Sequence, residues 1–463
     1  MILMDREWLQ GGEPTPELLW ETLRRFEQER ERLFRLKAFY DGEHPIAERW
    51  RAKGAPNHRL WHDLPGYIVA MTSGYLVGEP VQYVGESCEG FETLRSALRK
   101  SASSNVDSEL ATDAAIFGRG VEIYYADSAA MPRLCQADAR NAFVVYDNTI
   151  EHAPMFGVLL TDRLNRQFQK TGQRITLLTD RWCVQYERNG EECPRETERQ
   201  RHFFGSVPMA EYWNNERERG DFEGVMNLID AYDALQSNRL NDKQQFTDAL
   251  MVIYGATVEE DEEGRSIQQR LRETRTLEMP AADARVEYLT KTLSESDTEV
   301  LKNSLKADIH KLSFVPDLTD EAFAGNVSGV AMEYKLFGLE QLTRVKERWF
   351  REGLLWRLKC MVHFLKLRGY TLPEAEDVEI QFSRSLPVNR LEVAQTLQAY
   401  EGLVPRRLLM GQVPFVENAQ AALAEWKREQ RENEKKDGPL IKPEAEAGQT
   451  EKEDRKARQA FKR

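Results

Sequence analysis

"DEAFAGNVSGVAMEYKLFGLEQL", Asp320 to Leu342, joins a run of small residues to an unbroken helical pattern. Ala322, Ala324, Gly325, Ser328 and Gly329 offer little bulk and much backbone freedom, which predicts a pliant loop. A Gly325-Asn326 turn before a helix capped by Ser328 is compatible with that reading. The pattern continues as "GVAMEYKLFGLEQLTRVKERWFREGLLWRLKCMVHFLKLRG", Gly329 to Gly369, without a proline. At roughly 1.5 Å per residue such a helix spans about 60 Å, more than an ordinary globular domain uses. Gly338 and Gly353 are the points where a kink would cost least.

Two more helices lie upstream. Asp221 to about Gln245 starts with apolar residues at helical spacing, Phe222, Val225, Ile229 and Tyr232, then turns polar on nearly every face. Such a helix needs partners outside its own domain, or water. Ser294 to Ser313 has Ser296 and Glu299 spaced as a capping box and a stripe of Val300, Leu301, Leu305, Ile309 and Leu312, and Pro316 ends it. Between the two lies a small α/β insertion: the β-rich "DALMVIYGATV", the acidic turn Glu259, Glu260, Asp261, Glu262 and Glu263, the helix-prone "SIQQRLRETRT" and the strand "RVEYLT".

The first half reads as α+β. Thr15 to Lys37 is an amphipathic helix capped by Thr15, with Pro16 at its first position and a stripe of Leu18, Leu19, Leu23, Phe26, Leu33 and Phe34. The apolar helix after His62 yields at Gly78 to a short strand. "AIFGRGVEIYYAD" reads as helix, Gly-rich turn, then a strand alternating Val121, Ile123 and Tyr125. "AFVVYD", "MFGVLLT", "RITLLTD" and "WCVQYE" predict a meander. Near the other end, "RLEVAQTLQAYEGLVPRRLLMGQVPFVENAQAALAEWKREQRENEKK" carries helical stripes separated by Gly402, Gly411 and Pro414.

Composition narrows the function. The chain has 463 residues, 30% of them charged, and a net charge of -13, so no broad basic surface for clamping a phosphate backbone is announced. Five cysteines, Cys88, Cys135, Cys183, Cys193 and Cys360, are scattered without a C-x-x-C, which predicts a reducing compartment rather than a disulfide or zinc framework. No window approaches the roughly 20 apolar residues of a membrane span, and the expectation is an intracellular, soluble chain.

Enzymatic readings find little. An ATPase needs a phosphate-cradling G-x-x-x-x-G-K-[ST], and the chain has no Gly-Lys pair. A nuclease needs clustered carboxylates; Asp127, Asp138, Asp147 and Asp162 sit at strand ends and turns, where a structural role is expected. His58 and His62 are spaced i, i+4 but are flanked by Pro56 and Pro65 and lack a third ligand. "GRG" at Gly118 to Gly120 reads as a helix-to-strand turn, and Trp349, Phe350 and Trp356 as helix packing rather than a base-stacking platform. No metal or cofactor is implied.

One resemblance binds these segments. "VPDLTDEAFAGNVSGVAMEYKLFGLEQL", together with "YDGEHPI", "IVAMTSGYLVGEPVQY", "AIFGRGVEIYY", "AFVVYDN" and "LIDAYDALQSNRLNDKQQFTDALMVIYGA" in that order, resembles the portal proteins of tailed double-stranded DNA bacteriophages, of the siphophage type. The similarity covers about Tyr40 to Gly369, and the joint order carries it rather than any single motif.

The resemblance implies a non-enzymatic ring, usually of twelve copies, at the one capsid vertex through which DNA enters and leaves. It implies residues 1–220 as most of an α/β wing, 221–247 and 292–316 as a two-helix stem, and 248–291 as a clip. Residues 317–328 would be a tunnel loop and 329–390 the rest of the wing, with a long kinked helix and a following strand. A helical crown would occupy 391–435, and 436–463 would be a disordered tail whose basic end, Arg455 to Arg463, is a solubilising extension or touches DNA or scaffold. Glu321, Ala322, Phe323, Ala324, Gly325, Asn326, Val327 and Ser328 would face DNA. An acidic bore repels phosphate and lets it slide, with Lys302, Lys306, His310 and Lys311 as loose guides or as an ordinary solvated face. Implied partners are terminase, major capsid or scaffold protein, and head-completion or adaptor proteins, with no membrane; the place is the virion, and the host cytoplasm during assembly. The alternatives are an α+β enzyme with an unrecognised site in the first half, and a scaffold that binds duplex tightly.

Overall fold

The computed structural model describes residues 1–51, 56–86, 88–190, 192–247, 250–254, 285–289, 295–318, 329–384, 390–411, 413, 416 and 419–436. These form an α+β protein that divides into two units, Met1–Gly325 with Met332–Ser385, and Asn326–Ala331 with Leu386–Arg463.

In the first unit β1 (Ile2–Met4) precedes helix α1 (Pro16–Tyr40), which is followed by α2 (Leu64–Val77), β2 (Gln82–Val84), α3 (Glu89–Lys100) and α4 (Ser103–Phe117). Strands β3 (Arg119–Ala126), β4 (Pro132–Ala137), β5 (Ala142–Asp147), β6 (Pro154–Leu164), β7 (Lys170–Leu178), β8 (Trp182–Arg188), β9 (Arg195–Arg201) and β10 (Met209–Trp213) come next. Then follow α5 (Met226–Thr247), β11 (Leu250–Tyr254), β12 (Arg285–Leu289), α6 (Glu295–Ser313), α7 (Gly329–Leu367) and β13 (Glu379–Gln381). The second unit carries α8 (Arg390–Tyr400), α9 (Arg406–Met410) and α10 (Ala419–Lys436), with Arg406 stacked 4.5 Å over Trp426 beside an open cleft of about 380 Å³.

The expected meander is present. β5 to β9 run antiparallel in sequence order, and β1 closes the other edge by pairing parallel with β5. A second sheet, ordered β10-β3-β4, lies under the helices, and β13 pairs with β2 so that the chain after α7 returns to the first hundred residues. β11 and β12 pair antiparallel inside the expected clip. The helix-prone segment between them and the turn Glu259, Glu260, Asp261, Glu262 and Glu263 lie outside the described residues.

Local signals set many boundaries. Thr15 Oγ1 accepts from Leu18 N at 3.3 Å and Pro16 opens α1, as its sequence predicts. The stripe of α1 differs at one end: Leu19, Leu23, Phe26 and Leu33 are buried, but Phe34 is exposed, and Leu36 and Phe39 are buried instead. The guanidinium groups of Arg30 and Arg140 lie over the Phe34 ring, each 5.3 Å from its centroid. Gly118 adopts φ +89° and ends α4; a Cβ there would meet Glu218 O at 2.0 Å, which explains the helix-to-strand turn.

The alternation expected in β3 is corrected. Val121 is buried, but so are Glu122 and Tyr124, whereas Tyr125 is exposed. β3 is the central strand of its sheet, with α4 packed on it, so both its faces meet other elements and a period of two fails. The core joins Leu94 and Leu98 of α3, Leu110 of α4, Tyr83 of β2, Tyr212 of β10 and Ile380 near the far end of the chain to Phe350, Leu354, Leu358, Met361 and Leu365 of α7.

Candidate helical pair and assembly surface

α5 and α6 are the two helices expected as a stem. The foot of α5 is apolar, with Phe222, Val225 and Ile229 fully buried just ahead of or within its first turn. Its upper part is not solvated all round: of the two alternatives the sequence leaves for its polar faces, partners or water, one face has partners. Asp233, Ser237 and Asn241, at i, i+4 and i+8, form a buried polar row. The described residues of 44–51 and 56–62 lie along that row as a strap. His44 Nδ1 and His62 Nδ1 each lie 2.7 Å from an oxygen of Asp233. Leu60 N donates to Ser237 Oγ at 2.9 Å, and His58 N donates to Asn241 Oδ1 at 2.7 Å. Arg49 and Arg51 both donate to Asn238 Oδ1 at 2.6 Å. His58 and His62 are therefore strap residues outside any helix or strand, and no group of three or more metal-type side chains occurs among the described residues.

α6 packs on α5 through Ile309, which is fully buried, and through Arg239 of α5, whose guanidinium donates to Glu299 at 2.8 Å. Hydrogen bonds from Lys302 and Arg239 hold the Glu299 carboxyl below its ordinary range. Ser296 lies in the first turn of the helix, Glu295–Ser313, and the Glu299 carboxylate pairs with Arg239 and Lys302. Lys302, Lys306 and His310 share one side at four-residue spacing, and all three have partners in the chain: Glu299 at 2.5 Å, Asp317 at 2.5 Å and Val315 O at 2.9 Å. Lys311 points to solvent.

The expected apolar stripe splits. Ile309 faces the body, but Val300 is 69% exposed, Leu312 58% and Leu301 50%. Leu301, Leu305 and Leu312, at i, i+4 and i+11, make one line along the open side. α7 carries a second such line, Tyr334, Phe337 and Val345, all exposed.

Just past α6, Tyr67 of α2 fixes the chain: its hydroxyl donates to Pro316 O at 2.8 Å and accepts from Leu318 N at 3.2 Å. Glu321, Ala322, Phe323, Ala324, Gly325, Asn326, Val327 and Ser328 lie outside the described residues, as do 437–463.

The other end of α7 is bolted to the sheets. Arg357, fully buried, donates to Asp107 at 2.6 Å, to both oxygens of Glu122 at 2.8 and 3.0 Å, and to Tyr83 Oη at 3.0 Å. Burial opposes the guanidinium charge, but Asp107 and Glu122 outweigh it and keep the group protonated well above its ordinary value. Tyr212 and Tyr124 donate to Glu122 at 2.6 and 3.0 Å. Three turns earlier on the same face, Lys346 pairs with Asp221 out of solvent. Removing one partner from such a buried set typically costs about 3–5 kcal/mol.

The helix is continuous across Gly338 and Gly353. Gly353 admits Tyr212, whose ring would lie 2.6 Å from a Cβ, whereas a Cβ on Gly338 would meet nothing nearer than Phe314 at 3.8 Å. Phe350 is buried and Trp356 Nε1 donates to Val207 O at 2.9 Å, so both pack as the sequence reading has it.

The carboxylates weighed for metal binding are structural. Asp127 accepts from Ala129 N and Met131 N, both at 2.9 Å, Asp138 pairs with Arg140, Asp147 accepts from Thr149 and Ala153, and Asp162 pairs with Lys170. All five cysteines are free thiols. Tyr67, Asp107, Glu122 and Arg357 were not singled out from sequence. An Arg in the middle of an apolar helical stripe was the one available signal.

A family model described as phage portal protein, SPP1 Gp6-like, matches residues 21–436. The portal protein of Bacillus phage SPP1 is 22% identical over 463 residues, covering 96% of this chain and 89% of that protein. The portal protein of Clostridium phage phiCD119 is 22% identical over 222 residues, 48% of each chain. The chain is thus of the portal class, the structural proteins at the vertex of the phage head. Within that class it belongs to the SPP1 Gp6-like family. No helix among the described residues is long and apolar enough to cross a membrane.

Proposed function

We propose that copies of this chain close into a ring, of twelve subunits, that forms the conduit for double-stranded DNA at the unique capsid vertex during packaging and ejection. The observation that carries this reading is the pair of exposed apolar lines on α6 and α7. An isolated soluble chain gains nothing by presenting Leu301, Leu312, Tyr334 and Phe337 to water, whereas a neighbour in a ring covers them. The contact is heterologous, one side of each copy meeting the other side of the next, with a rotation that closes.

The bore suits sliding. A net charge of -13 keeps phosphate from binding tightly, and Lys302 and Lys306 are already neutralised by carboxylates of their own chain, whereas Lys311 is exposed and makes no ion pair among the described residues. The loop containing Phe323 contacts or centres the duplex, β11 and β12 form part of the clip that meets terminase and then head-completion proteins, and the chain has no catalytic role. Analytical ultracentrifugation with negative-stain microscopy tests the reading: a ring of about twelve copies with a central channel and feeble duplex binding is expected. A monomer or dimer with measurable turnover would overturn it.

A further inference from the structure

The hairpin joining β6 to β7 runs past the cover of its own sheet: from Thr161 to Thr171 no side chain is buried. Its turn is nevertheless fixed. Asn165 Oδ1 accepts from Gln167 N and Gln169 N, both at 2.9 Å, Asn165 N donates to Gln169 O at 2.9 Å, and Phe168 N donates to Asn165 O at 3.0 Å. That lock holds Phe168 at φ +59°, in the left-handed region that glycine and asparagine tolerate and bulky side chains avoid. The Phe168 ring is 85% exposed and Leu164 beside it 56%. Backbone strain and the hydrophobic effect both oppose a phenylalanine at this tip, and no contact among the described residues compensates either one.

We propose that Phe168 and Leu164 form an insertion knob that seats in an apolar pocket rimmed by carboxylates on a shell protein of the phage head, a partner present in many copies. The proposal rests on the portal reading above. Charge points to an acidic rim: residues 161–174 carry Arg163, Arg166, Lys170 and Arg174 against Asp162 alone, in a chain whose total is -13. Protein fits better than nucleic acid, because Lys170 is tied to Asp162 at 2.8 Å and Arg163 to Glu187 at 2.6 Å, which leaves few free cations for a phosphate track. Arg166 makes no ion pair among the described residues and lies in sequence between the two residues of the knob. One knob is a small contact, well below the roughly 1,000 Å² of a stable pairwise interface. Repeated around a ring against a repeated partner, it becomes tight through multivalency. The neighbouring copy in the ring already has the lines on α6 and α7 to cover.

The test co-assembles the full-length chain with the phage's own capsid and scaffold proteins and measures its incorporation into shells. Phe168→Asn relieves the backbone, so incorporation is expected to fall at least tenfold while ring size by ultracentrifugation is unchanged and the melting temperature is unchanged or slightly higher. Leu164→Ser and Arg166→Glu are expected to lower incorporation severalfold. Wild-type incorporation by Phe168→Asn overturns the proposal. So does loss of the ring itself in that variant, which makes the neighbouring copy the occupant, or normal incorporation with reduced DNA filling, which makes nucleic acid the occupant. A wild-type chain that forms no ring and enters no shell overturns the portal reading as well, and is thereby distinguished.

Discussion

At the scale of single residues the chain places charge where water is scarce and then compensates it. Asp113 of α4 is incompletely compensated. Burial pushes its carboxyl up to about 7, against the lowering effect of a hydrogen bond from Gln136. A folded-state value above the unfolded one means that the folded chain holds the proton more tightly. Its contribution to stability is full below about pH 3.8 and is lost as pH rises to about 7. The whole shift corresponds to about 4 kcal/mol, and the partial solvent contact of the side chain reduces the expected effect to about 1–2 kcal/mol. Asp113→Asn keeps the acceptor for Gln136 and removes the ionisation. It is expected to unfold at higher temperature than the parent at pH 8 and to show a flatter stability profile between pH 4 and 7; identical profiles in calorimetry would refute this. None of this was legible beforehand. The partners of Arg357 lie 235 and 250 residues away at Glu122 and Asp107, and a local pattern that faces Tyr125 inward and Glu122 outward has no means of registering them.

At the scale of elements, apolar spacing located α1, α2, α5 to α7 and the meander strands, because each has a face whose burial is written in consecutive residues, and it caught only the last residues of α4. It passed over β9, whose seven residues are all exposed and carry no alternation, and β1, which is held by parallel pairing to β5 far along the chain. It found α5 but could not name what covers its polar face, since the strap on that face is itself irregular and comes from before α2. The two glycines of α7 looked alike in sequence and differ in surroundings. Gly338→Ala is expected to stabilise by about 0.5–1 kcal/mol, the ordinary helical advantage of alanine, because space is open there. Gly353→Ala gains the same propensity but drives a methyl into the Tyr212 ring, displacing its hydroxyl from Glu122. A net loss of about 1–3 kcal/mol is expected. Urea unfolding of both variants decides the matter, and equal effects would mean that both positions are mere hinge points.

At the scale of the whole molecule, the open side of α6 is the feature that the single chain leaves unexplained. Its stripe was read correctly as apolar, but in the structure Ile309 is buried and Leu305 half-buried, whereas Leu301 and Leu312 remain in water. Burying a leucine is worth about 1.5–3 kcal/mol, so the line on α6 contributes several kcal/mol per neighbour if a second copy covers it. Replacing Leu301 and Leu312 by Glu together removes that gain and adds buried like charges at every interface of the ring, whereas at exposed positions of a free subunit it changes stability by only about 0.5 kcal/mol. The double variant is therefore expected to melt like the parent subunit and to sediment as a monomer. Ile309→Glu, by contrast, introduces a charge between α5 and α6 and is expected to unfold the pair before assembly is reached. Rings of normal size from the double variant would show that the open side of α6 faces the channel or solvent, and the subunit contact would then have to be sought along Tyr334, Phe337 and Val345 of α7.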